Sequence, residues 1–104
     1  MPVLTDLKNE FNDPKWENRM TNEFDYLRHN YDGTVTAWTN TNTYKNVVQS
    51  IARIMTRNNI SIYKISPASL ADTCDGGKFE STTTVAYMEN NKLNIYNINI
   101  DTIY

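Results

Sequence analysis

Large apolar side chains recur at helical spacing through the first half of the chain and at alternating spacing through its last quarter. Leu4, Leu7 and Phe11 stand three and four positions apart, which predicts a short helix begun by Thr5 or Asp6. Asp13-Pro14 then starts a second helix, with Asp13 accepting from unpaired backbone N–H groups and Pro14 at the first position, where a missing donor costs nothing. Trp16, Met20, Phe24, Leu27 and Tyr31 follow as one stripe, so that helix should run unbroken to near Asn30, with Gly33 beyond it tolerating positive φ.

Residues 34–39 are β-branched and aromatic and lack helical spacing, which predicts a strand with Val35 and Ala37 on one face and Trp38 on the other. After a loop at 40–42, Thr43 is the expected cap of a long helix whose apolar face is Tyr44, Val47, Val48, Ile51, Ile54 and Met55, ended by Asn58-Asn59. Residues 60–65 read as a short strand closed by Ser66-Pro67, followed by a single helical turn through Leu70 and a loop over 72–78. From there Phe79, Ser81, Thr83, Val85 and Tyr87 alternate with Glu80, Thr82, Thr84 and Ala86, and 89–92 is a hairpin turn leading into a strand over 93–100. In that last strand Leu93 and Ile95 share one phase and Ile98 and Ile100 the other, so a bulge or twist is expected near Tyr96-Asn97. These elements define an α+β fold as a single small domain over 1–104: two main helices on one face of a three- to four-stranded sheet, ending in a C-terminal β-hairpin.

Composition narrows the function classes. The net charge of -2 excludes a polycation held to nucleic acid by bulk charge and also a heavily acidic mimic of DNA. A mean hydropathy of -0.62 with only short apolar runs leaves no membrane span. The start, Met1-Pro2-Val3-Leu4, lacks a basic segment followed by an apolar run, and the lone Cys74 cannot form an internal disulfide, so a cytoplasmic location is expected. Asn and Thr make up about a quarter of the chain while Gly, Ala and Pro are scarce. Asn, Ile, Tyr and Lys have AT-rich codons, which points to an AT-rich genome of the kind many bacteriophages and mobile elements carry.

Candidate chemistry is sparse. His29 is the single histidine and could be oriented by Asp25 four positions earlier, but both lie off the apolar stripe and read as a surface pair. Cys74 stands between Asp72 and Asp75, whose charges disfavour a thiolate. One His and one Cys do not make a usual zinc set, the spacing of Asp72, Asp75 and Glu80 fits no calcium loop, and Asp75-Gly76-Gly77-Lys78 precedes a strand where a phosphate loop needs a helix. No catalytic residue, metal or cofactor is therefore expected.

Two surfaces remain as binding candidates. Lys45, Gln49, Arg53 and Arg57 recur every fourth residue as a polar stripe suited to phosphates or to an acidic protein surface, with Trp38 and Tyr63 near enough for base stacking. The C-terminal strand carries Tyr96 and leads to Tyr104 with no charge beyond Asp101; as an open edge it could pair with a partner or form a homodimer. The leading expectation is a non-enzymatic protein-protein interaction factor, a phage or mobile-element accessory protein that binds and inhibits a host protein. The alternative is a small nucleic-acid-binding module built on the basic stripe.

Overall fold

A computed structural model describes residues 2–30, 35–73 and 78–102. Among them lie helices α1 (Pro2–Phe11), α2 (Lys15–Asn22), α3 (Phe24–Asn30), α4 (Thr36–Thr39) and α5 (Asn42–Arg57), then strands β1 (Ser61–Pro67), β2 (Ala71–Thr73), β3 (Lys78–Glu89) and β4 (Lys92–Asp101). The strands form one antiparallel sheet centred on β3. One side of β3 pairs with β1 and β2 and the other with β4 along almost its whole length, from Glu80↔Asp101 to Glu89↔Lys92. The fold is thus α+β.

The alternation expected along β3 is present: Phe79, Ser81, Thr83, Val85 and Tyr87 are all buried, and the intervening residues are not. The hairpin turn is also as expected. Asn90 and Asn91 adopt φ of 55° and 60°, the left-handed pair that a two-residue turn needs for strands of natural twist. At the inner face the apolar rows of β3 and β4 meet Val3, Leu7, Trp16, Met20, Leu27, Trp38, Val47, Ile51 and Met55, all of them fully buried. The buried hydroxyls are satisfied: Ser81 Oγ donates to the Ile100 carbonyl at 2.9 Å, and Thr102 Oγ1 accepts from Phe79 N–H at 3.0 Å.

Several expectations are corrected. Residues 36–39 form a helical turn and not a strand, because Ala37 and Trp38 are both buried. Neighbouring side chains share a side only when the backbone coils, so packing overrides β propensity here. The predicted long helix from Asp13-Pro14 divides into α2 and α3 at Glu23. Asp13 does accept from the Lys15 N–H at 2.9 Å, as a cap should, while Pro14 is the flanking residue and the helix proper starts at Lys15. Tyr31 and Gly33 lie outside the described residues. The first helix begins at Pro2, ahead of the expected Thr5 or Asp6.

The cap of α5 is Thr41 and not Thr43. Thr41 Oγ1 accepts from Tyr44 N–H at 3.0 Å and donates to the Trp38 carbonyl at 2.8 Å. Thr43 is instead buried in the first turn, where its hydroxyl donates to the Glu23 carboxylate. Glu23 also accepts from the N–H groups of Asn42 at 2.6 Å and Thr43 at 2.9 Å. A carboxylate at the positive end of a sixteen-residue helix explains why the chain bends at Glu23. Glu23→Ala is expected to destabilise the fold by about 2 kcal/mol, since it orphans two helix N–H groups and removes a favourable charge. Urea unfolding of the two proteins measures it, and an unchanged midpoint would contradict the capping role.

At the other end α5 closes as expected, with Asn59 at φ 55°, Asn59 N–H donating to the Thr56 carbonyl and Ile60 N–H to that of Met55. No helical turn reaches Leu70: residues 68–70 are irregular, Leu70 is buried, and the expected loop over 72–78 contains the end of β2 and the start of β3. No bulge interrupts β4 near Tyr96-Asn97, because its register with β3 is continuous. The sheet's irregularity lies in β1, between Ile62 and Lys64.

Candidate functional site

With the register of β4 unbroken, the alternation there is strict and its opposing phases are both real. Ile98 and Ile100 point into the core at 1% exposure, while Leu93 and Ile95 are 51% and 64% exposed on the opposite, helix-free face. Register places Leu93 directly across from Met88, itself 39% exposed, and Ile95 across from Ala86. On the far side of β3, Ser61 and Lys64 continue these two rows, and Tyr63, the extra residue of the β1 bulge, is 69% exposed. Towards the other end of the same face the rows turn polar. Thr84 and Thr82 hydroxyls donate to the side-chain carbonyls of Asn97 and Asn99 at 2.8 and 2.9 Å.

The position of this patch follows from the length of the hairpin. Twelve residues of β3 extend about 40 Å, nearly the full 43 Å longest dimension of the molecule. The inward residues of β4 near the root, Ile98 and Ile100, are fully covered, whereas Lys92 and Asn94 near the turn are exposed and half-buried. The apolar outer rows stand on the turn-proximal half of the hairpin, whose inner face is still packed through Val85 and Tyr87.

Sequence reasoning missed this patch although its signal was visible. The opposed phases of Leu93/Ile95 and Ile98/Ile100 have two resolutions, a bulge that brings all four inward or a regular strand that leaves two of them exposed, and the second is observed.

The basic stripe lies on α5, where Lys45, Gln49, Arg53 and Arg57 are all exposed. Its cationic character is diluted at the C-terminal end. Arg57 forms an ion pair with Asp6 of α1 at 3.3 Å, and Arg53 donates to Ser50 Oγ at 3.0 Å. A cleft of about 260 Å³ between the helices is lined by both arginines together with Asp6, Asn9, Glu10 and Ser50. The Asn58 side-chain amide, bonded to Asp6 Oδ2 at 3.0 Å, and the Arg57 guanidinium hold the Asp6 carboxyl below its ordinary range. Trp38 is wholly buried, so it offers no stacking surface beside the stripe; Tyr63 does remain exposed.

Tyr96 sits on the inner face, half-buried against the core, and this burial raises its phenol above the usual range. Tyr104, Cys74 and the Asp75-Gly76-Gly77 segment lie outside the described residues. Asp25 and His29 are exposed on α3 and line a cleft with Arg28. Among the described residues no three His, Cys, Asp or Glu side chains gather as a metal site, and no helix is long and apolar enough to cross a membrane. Comparison with protein families, with curated proteins and with solved structures gives no match.

Proposed function

We propose that this chain is a non-enzymatic protein-interaction factor that engages a partner protein through the helix-free face of its sheet. The observation that carries this reading is the exposure of Leu93 and Ile95, with Met88 across and Tyr63 on the strand beyond. Full burial of a large apolar side chain is worth roughly 1.5–3 kcal/mol, of which these partly exposed residues forgo about half, and a contiguous apolar group of this kind rimmed by Thr, Asn and Lys64 has the anatomy of a binding surface. The AT-rich composition supports an accessory protein of a phage or mobile element acting on a host protein, whose working surface it would occupy.

The nucleic-acid reading is weaker. Arg57 is already paired with Asp6, so a phosphate approaching this end of the stripe would compete with a carboxylate for that guanidinium. Affinity purification of the tagged protein from bacterial lysate, with and without nuclease, separates the two. A single stoichiometric protein retained after nuclease is the expected result. A mixture that disappears with nuclease, and whose capture falls steeply with salt, would establish the other reading.

A further inference from the structure

The outer edge of β4 differs from the other outer edge of the sheet. β1 is interrupted by the Tyr63 bulge, carries Lys64 and ends in Pro67, the devices by which edge strands avoid pairing. β4 has neither bulge nor proline, and its one lysine, Lys92, stands at the turn: it runs ten residues in continuous register with β3 and among the described residues has no second neighbour. Glu89 and Lys92 close the two-residue turn and exchange backbone hydrogen bonds, so even-numbered residues of β4 turn their backbone groups to β3. The Thr102 N–H, bonded to the Phe79 carbonyl at 2.9 Å, keeps that phase at the far end. Leu93, Ile95, Asn97, Asn99 and Asp101 consequently direct their N–H and C=O groups towards the open edge.

We propose that this edge pairs antiparallel with the β4 edge of a second copy of the chain, about a two-fold axis at Asn97. Register selects a copy of the same strand. Centred on Asn97, the edge-facing residues form a closed set, with Leu93 opposite Asp101, Ile95 opposite Asn99 and Asn97 opposite itself; a centre one residue earlier would set Asp101 against Asn91 in the turn. Charge is compatible with that direction. Lys92 and Asp101 are the only charged residues of β4 and stand at its two ends, so antiparallel pairing puts one lysine and one aspartate at each end of the joined strands, on opposite faces of the sheet. Parallel pairing would gather both lysines at one end and both aspartates at the other. The side chains at the centre are already ordered, since Thr84 and Thr82 hold Asn97 and Asn99. The pairing joins two sheets into one and leaves the face bearing Leu93 and Ile95 open, so it goes beyond the partner-binding reading and stands or falls separately from it.

Sedimentation of the wild-type protein over a wide concentration range is expected to show twice the monomer mass at the upper end. In a Cys74→Ser background, Asn97→Cys should form an interchain disulfide under mild oxidation, because directly opposed residues of a hydrogen-bonded pair lie about 5.5 Å apart, within disulfide reach. Ile95→Cys and Asn99→Cys should each stay uncrosslinked alone and crosslink when mixed. Asn97→Lys, which opposes two ammonium groups at the axis, should return the protein to monomer mass while it keeps a native circular-dichroism spectrum and a melting temperature that no longer depends on concentration. A wild-type protein that stays monomeric throughout, including one whose edge takes up only a foreign extended segment, overturns the proposal. So does a dimer that ignores Asn97→Lys or crosslinks equally at every position.

Discussion

Trp38→Ala should lower the stability of this protein by about 3–5 kcal/mol, a large share of the roughly 5–15 kcal/mol available to a small domain. The indole is wholly buried between α4, α5 and the sheet. Its ring meets that of Tyr44 edge-on at 5.3 Å, and its N–H donates to Thr83 Oγ1 of β3 at 3.0 Å. Truncation removes the ring's apolar burial, leaves a cavity that the rigid sheet cannot close, and strands the Thr83 hydroxyl. A fall in Tm of roughly 15 °C or more follows. Thr83→Val and Trp38→Phe should each cost about 1–3 kcal/mol, the first by orphaning the indole donor and the second by orphaning the hydroxyl. The double variant should recover part of the summed loss, because neither polar group then remains buried alone. A Trp38→Ala protein melting within a few degrees of wild type would mean that this packing does not hold the helices to the sheet.

The second large effect concerns binding. Leu93→Thr with Ile95→Thr keeps β-favouring side chains at exposed positions, so stability should change by no more than about 0.5 kcal/mol per site. Partner affinity should nevertheless fall at least about 30-fold, since central apolar anchors of an interface commonly contribute 2 kcal/mol or more each. The backbone pairing of β4 survives these substitutions, which distinguishes loss of the partner from loss of a dimer.

How far these features could be read from the sequence depends on the range of the interactions that set them. The inward row of β3, the Asn90-Asn91 turn and the apolar face of α5 are local patterns, and each reappears in the structure. The bend at Glu23 is set by amides 19 and 20 positions further along the chain, so no window around Trp16 and Met20 contains its cause. The helical turn at Trp38 answers to Thr83, 45 positions away, and its own β-branched neighbours argue for the opposite structure. β2 owes its three residues to pairing with β3 and has no pattern of its own. For the candidate surface the residues were legible but their meaning was not. Assuming that every isoleucine and leucine of β4 must be buried turns Leu93 and Ile95 into a reason for a bulge; allowing a strand to expose apolar groups turns them into the patch.

Capture of the nuclease-resistant partner by two double variants measured side by side tests the proposed surface most directly. Leu93→Thr/Ile95→Thr should abolish capture, and Arg53→Ala/Arg57→Ala, on the exposed side of α5, should leave it at the wild-type level. Retained capture by the first and lost capture by the second would contradict the assignment and move the working surface from the sheet to α5.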